Sequence, residues 1–177
     1  MINRTNNEII REVLKNYLTE IKSRASIPQP EEIEKELINR FSEEFDLENS
    51  LLPRGRKLST PNKLSNAMIS EILLALYDIK LIMWADSEDD KNCDVAIYCD
   101  KGRNEGLYIF DESVFFQIIK RFNCSIETRD SKEVQKMLFN MAPKCRRNNN
   151  PDLIAVNNGI FNYNHNHPSN GWFAQGL

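Results

Sequence analysis

A chain of 177 residues with a formal net charge of −3 has the length of one ordinary domain or a domain with a helical extension, and buries roughly 70% of its unfolded surface. That charge excludes a protein that coats nucleic acid over its whole surface, which would show a strong basic excess. Four cysteines (Cys93, Cys99, Cys124, Cys145) are spaced too widely for a Cys-x-x-Cys clip, so they read as reduced thiols of a cytoplasmic protein, mostly filling a core. The most apolar stretch, Ile72 to Trp84, is interrupted by Asp78 and Lys80, which argues against a membrane span.

Ile10, Val13, Leu14, Tyr17, Leu18 and Ile21 recur at three-to-four spacing and predict an amphipathic helix from about Asn6 to Arg24. Pro28 and Pro30 end it. Ile33, Leu37, Phe41 and Phe45 then fall four apart, behind Glu31 and Glu32 in a first turn that suits the helix dipole. The first 50 residues thus read as a helical hairpin. From Glu31 to Ser50 there are eight acidic and two basic residues.

"LLPRGRKLSTPNK" breaks the pattern, and residues 51–61 read as a basic linker. Leu52 to Lys63 contains Arg54, Arg56, Lys57 and Lys63 and no acid. Thr60-Pro61 resembles an N-cap followed by proline, opening a helix through Leu64, Met68, Ile72, Leu76 and Ile79. A strand is expected from about Lys80. Val95, Ile97 and Cys99 alternate with Ala96 and Tyr98, and after Gly102 and Gly106 come Leu107 to Phe110, a pattern for an antiparallel pair or a three-stranded meander. Asp111 can cap a helix carrying Val114, Phe115, Ile118, Ile119 and Phe122. Asp130 with Glu133 resembles a capping box for a helix carrying Val134, Met137, Leu138 and Met141.

Lys144, Arg146 and Arg147 form a second acid-free basic patch. In "LIAVNNGIFNYN" two apolar runs meet at Asn158-Gly159, predicting a type I′ hairpin in which Val156 faces Phe161 and Ile154 faces Tyr163. Residues 164–177 read as an irregular tail. The fold class expected is α+β and mainly helical: an N-terminal helical hairpin plus a small winged-helix-like α/β unit with a β-meander and a C-terminal Asn-Gly hairpin.

"DVAIYCDKGRNEGLYIFD" (94–111), "SKEVQKMLFNMAP" (131–143) and "DLIAVNNGIFNY" (152–163) together resemble the middle portion of phage and plasmid primase-helicases, the replication proteins related to the poxvirus-type primase-helicase. The likeness spans about residues 62–163, a pre-ATPase middle domain. It implies a DNA-contacting or subunit-assembly module of DNA replication, encoded by a bacteriophage, plasmid or other mobile element. None of the six glycines begins a Gly-x-x-x-x-Gly-Lys-[Ser/Thr] loop, so the nucleotide-cradling motor is missing. Asp86, Glu88, Asp89 and Asp90 sit in an expected polar turn rather than in a primase metal site. The expectation is a truncated fragment that lacks its ATPase, needs no cofactor of its own, and leaves Mg-ATP to the intact family protein.

Arg54, Arg56, Lys57, Lys144, Arg146 and Arg147 are the candidate phosphate contacts, against the simpler reading of solvated surface charge. DNA is the expected partner, with a homo-oligomer possible and no membrane. Trp84, Tyr98, Tyr108 and Phe110 offer base-stacking surfaces if exposed, although alternation among aliphatics favours core packing. His165 and His167 lack further ligands, and no serine or cysteine is framed as a nucleophile, so no catalytic or metal residue is assigned. The competing reading is a non-enzymatic adaptor of a mobile element, binding a protein partner through the acidic helix at 31–48 and the apolar face of the first helix.

Overall fold

The computed structural model describes residues 4–53, 55–83, 93–122 and 126–146, and the backbone alone of 153–156, 159–162 and 172–173. In chain order the elements are α1 (Asn6–Lys22), α2 (Pro30–Leu51), α3 (Asn66–Leu76), β1 (Ile79–Met83), β2 (Cys93–Tyr98), β3 (Tyr108–Ile109), α4 (Glu112–Phe122), α5 (Thr128–Met141), β4 (Lys144–Arg146), β5 (Leu153–Val156), β6 (Gly159–Asn162) and β7 (Trp172–Phe173). The class is α+β, mainly helical with a small β-unit. No helix among the described residues is long and apolar enough to cross a membrane.

The chain forms two units. Unit 1 is residues 1–76 with 112–138, and unit 2 is residues 77–111 with 139–177. The basic stretch 51–61 therefore lies inside unit 1.

Unit 1 is helical because its sequence is periodic. In α1 the residues Ile9, Val13, Leu14, Tyr17 and Ile21 are buried, and the stripe Ile33, Leu37, Phe41 and Phe45 of α2 is wholly inaccessible. α2 packs on α1 and α4, and α1 also meets α3. A reciprocal cap opens α1: Thr5 Oγ1 accepts from the Glu8 N–H at 3.4 Å and the Glu8 carboxylate accepts from the Thr5 N–H at 2.7 Å. Pro30 opens α2, where the Glu32 carboxylate accepts from the Gln29 N–H at 3.0 Å.

Ion pairs join the two helices of the hairpin. The Arg24 guanidinium donates to Glu36 at 3.0 and 3.3 Å and to Glu20 at 2.9 Å, and Arg40 pairs with Glu20 at 2.7 Å. Both guanidiniums lie over the buried Tyr17 ring, at 5.9 and 4.9 Å from its centroid. Glu36 and Glu20 are held below the usual carboxylate range chiefly by their bonds to Arg24. A depressed carboxylate contributes stability that is present above its ordinary value of 4.5 and is lost as pH falls through the depressed value. Melting followed by circular dichroism should accordingly show a falling Tm below about pH 4.5, less steeply in Glu36→Gln. The same slope in both proteins would contradict this.

The third helix begins later than Thr60-Pro61 predicts, and it ends at Leu76, since Ile79 pairs with Ile97 as the first residue of β1. The Asn49 side chain accepts from the Leu58 N–H at 2.7 Å and donates to its carbonyl at 3.1 Å, and the Leu64 N–H donates to the Glu34 carboxylate. Those groups are committed to tertiary partners, so the helix starts at Asn66. Ser65 caps it, its hydroxyl accepting from the Met68 N–H at 3.3 Å. The cap of α5 also differs from expectation. Glu127 is the cap, its N–H donating to Asp130 at 3.3 Å, while Asp130 and Glu133 accept from the Asn66 side chain at 3.4 and 2.7 Å.

In unit 2 the order is β3-β2-β1-β4. β1 to β3 form the expected antiparallel meander, with Ile79↔Ile97 and Leu81↔Val95 on β1/β2 and Ile97↔Ile109 and Tyr98↔Tyr108 on β2/β3. β4 joins β1 in parallel, Leu81↔Lys144 and Met83↔Arg146. A parallel neighbour needs a long crossover, supplied here by the residues between β3 and β4, which include α4 and α5. One sheet face carries Ile79, Leu81 and Ile97, each at most 3% exposed.

The last three strands form a separate sheet, β5-β6-β7. Its register differs from the Asn158-Gly159 prediction: Val156 pairs with Gly159 and Ile154 with Phe161. β6 also pairs with β7, Ile160↔Phe173 and Phe161↔Trp172. Its register is therefore set by two neighbours, and the expected irregular tail contains a strand.

Candidate functional site

The six predicted phosphate contacts fall in both units. Arg56 and Lys57 belong to unit 1, Lys144 and Arg146 to unit 2, and all four are exposed. Arg54 and Arg147 lie outside the described residues, as do Trp84, the acidic cluster 86–90 and both histidines.

The segment carrying Arg56 and Lys57 is a tethered loop. Its backbone turns where the Arg56 N–H donates to the Pro53 carbonyl at 3.1 Å, with Gly55 at φ +93°, a conformation that favours glycine. Asn49 then fixes Leu58 at both its N–H and its carbonyl. Asn49→Ala removes both bonds and leaves the Leu58 backbone without its partner, so it should cost about 1–3 kcal/mol and speed proteolysis between 53 and 57. Unchanged cleavage there would sink that expectation.

Lys144 and Arg146, read from the sequence as part of a basic patch, lie on the edge strand β4. A strand puts residues two apart on one side, so the two cations share a direction. The edge assignment was hidden because β4's partner, β1, lies some sixty residues earlier. Between them, Cys145 is exposed, Cys99 is half-buried and Cys93 is buried. Among the described cysteines, then, one of the three is a core filler, fewer than expected. Burial pushes the Cys99 thiol up, with Asp100 adding to it.

The tyrosines are not core residues. Tyr98 and Tyr108 are directly paired across β2 and β3, each half-buried, with ring centroids 5.4 Å apart and planes at 61°. The Tyr108 hydroxyl donates to Asp78, whose carboxylate also meets the Lys80 ammonium at 3.1 Å. Burial, then that bond to Asp78, pushes Tyr108 above the usual phenol range. Ile97 and Ile109 lie on the opposite face, since a strand alternates, whereas the buried Ala96 shares the face of Tyr98.

Beyond this pair the chain makes a loop closed by the Gly106 N–H donating to the Cys99 carbonyl at 2.8 Å and the Cys99 N–H donating to the Leu107 carbonyl at 2.9 Å. Gly102 and Gly106 adopt φ +85° and +84°, and Lys101 and Arg103 are exposed. These two cations escaped the sequence reading because Asp100 and Glu105 flank them and cancel the local charge. The signal that marks them is Lys-Gly-Arg inside a glycine-bounded strand connection.

No group of three or more His, Cys, Asp or Glu side chains among the described residues is placed to hold a metal ion. A cleft of about 680 Å³ is lined by Glu34, Lys63, Asn66, Ile126 and Asp130 among others. Its acids serve the fold: Glu34 holds the Leu64 N–H, and Asp130 holds the Glu127 N–H and Asn66. No family model matches the chain, and no curated protein matches it.

Proposed function

We propose that this chain is a DNA-contacting module of a DNA-replication protein related to the phage and plasmid primase-helicases, without a catalytic centre of its own in the described residues. The observation that carries this reading is the outward display of cations by an acidic chain: Lys144 and Arg146 on one side of an edge strand, Arg56 and Lys57 on a pinned loop. Cations held by a fixed backbone position phosphates without reading sequence. The test is binding of fluorescent DNA at several salt concentrations. With three to six phosphates neutralised, log affinity should fall against log salt with a slope of roughly −3 to −5. Absence of any complex, or a complex insensitive to salt, would end the proposal.

A second reading, an adaptor that binds a protein partner, is favoured by one feature. Leu47 and Leu51 on the acidic helix α2 are 57% and 61% exposed. The apolar face of α1, which that reading also used, is buried within unit 1 and is not free to bind. Leu47→Glu with Leu51→Glu should then abolish any self-association seen by light scattering, whereas an unchanged mass would remove the adaptor.

A further inference from the structure

We propose that the β2–β3 hairpin of unit 2 binds single-stranded polynucleotide, one base stacking against the Tyr98–Tyr108 pair while Lys101 and Arg103 at the tip hold neighbouring phosphates. This deepens the DNA-contacting reading above and rests on it.

Three observations point the same way. The rings are fixed before any ligand arrives: Tyr98 and Tyr108 pair across adjacent strands, meet edge to face at 5.4 Å, and the Tyr108 hydroxyl is tied to Asp78. A partly exposed aromatic held in this way stacks a base without first losing side-chain freedom. The nearest carboxylate is already compensated, since Asp78 meets Lys80 at 3.1 Å as well as the phenol, so it repels a phosphate less than a bare aspartate would. Lys101 and Arg103 form no ion pair with any described carboxylate, and left-handed glycines at 102 and 106 turn the chain around them.

The combination selects the ligand class. A duplex keeps its bases stacked on each other and offers no free ring face, whereas a single strand does. An acidic peptide satisfies the cations and leaves the rings unused. Asp100 and Glu105 offset Lys101 and Arg103 in the loop's own charge, so the site gains from stacking and from the placement of its cations, not from a charge excess. Stacking releases no counterions, unlike phosphate contact, which separates the contribution of Tyr98 and Tyr108 from that of any cation.

The experiment measures anisotropy of labelled oligothymidine of about 12 nucleotides with the full chain, beside an oligomer of abasic sites of the same length, the corresponding duplex and oligouridine. Oligothymidine should bind about tenfold or more tightly than the abasic strand. Tyr98→Leu should remove that preference with the salt slope unchanged, and Tyr98→Phe should restore it. Lys101→Glu with Arg103→Glu should weaken binding and flatten the slope by about 1.4. The oligouridine arm decides between DNA and RNA as the source of the strand. Equal affinity for oligothymidine and the abasic strand by the native protein overturns the proposal, whether or not Tyr98→Leu folds. Binding lost on reversing Lys144 and Arg146 but untouched at Tyr98 overturns this inference alone, while binding of no polynucleotide at all overturns it together with the reading it rests on.

Discussion

Phe41→Ala should destabilise the protein by about 3–5 kcal/mol, the range for truncating a fully buried aromatic. Phe41 has no accessible surface, and its neighbours one turn either way, Leu37 and Phe45, have none either. α2 packs on both α1 and α4, so the missing ring leaves a void that two neighbouring helices would have to move to fill. Against a total of about 5–15 kcal/mol for a typical domain, this is a large fraction. The control is Leu51→Ala on the same helix, 61% exposed, which should lie within about 0.5 kcal/mol of the native protein. Urea midpoints at constant slope would measure both. A loss below about 1 kcal/mol for Phe41→Ala would mean that the α2 stripe is not the core of unit 1.

Replacing Lys144 and Arg146 together by glutamate should flatten the salt dependence of DNA binding by about 1.4 for single strands and about 1.8 for duplex, two phosphate contacts in each case. The substitution is chosen to isolate phosphate contact from another role of charge on an edge. Charged side chains on an edge strand discourage pairing with another chain, and glutamates preserve that repulsion while reversing attraction for phosphate. A lower affinity therefore reports DNA contact and not a new tendency to aggregate. Lys132→Glu, an exposed position on α5, serves as the comparison. If it shifts the slope as far as the β4 pair does, the effect belongs to net charge and β4 is no interface.

Periodicity carried the helical part of the fold. Ile33, Leu37, Phe41 and Phe45 fall four apart, and a helix puts all four on one face without Lys35, Asn39 and Glu43, which a strand would set among them. The meander was equally legible, because Val95, Ile97 and Cys99 alternate and glycines mark its turn. The cap Thr5 with Glu8 was available as a Thr-x-x-Glu pattern, a local signal that the reading passed over.

What failed was settled at a distance. The start of α3 is set by Asn49 and Glu34, which engage the backbone at Leu58 and Leu64. A proline after a threonine cannot register such partners. The tyrosines at 98 and 108 sit beside Ile97 and Ile109 in the chain but on the other face of the sheet, and only the strand pairing separates the two.

The amino-acid sequence by itself determined which segments are helix and where the meander lies, since side-chain spacing and glycine placement act within a few residues. It also determined the acidity of α2 and the two basic segments. Tertiary structure alone decided that Lys144 and Arg146 lie on an edge strand, because β4 exists only by pairing with β1, and the two are separated by the rest of the meander and two helices. It likewise decided that Tyr98, Tyr108, Asp78 and Lys80 gather on one face, at the end of the strands that the loop with Lys101 and Arg103 joins. That arrangement needs three strands in register, and no stretch of chain holds the information for it.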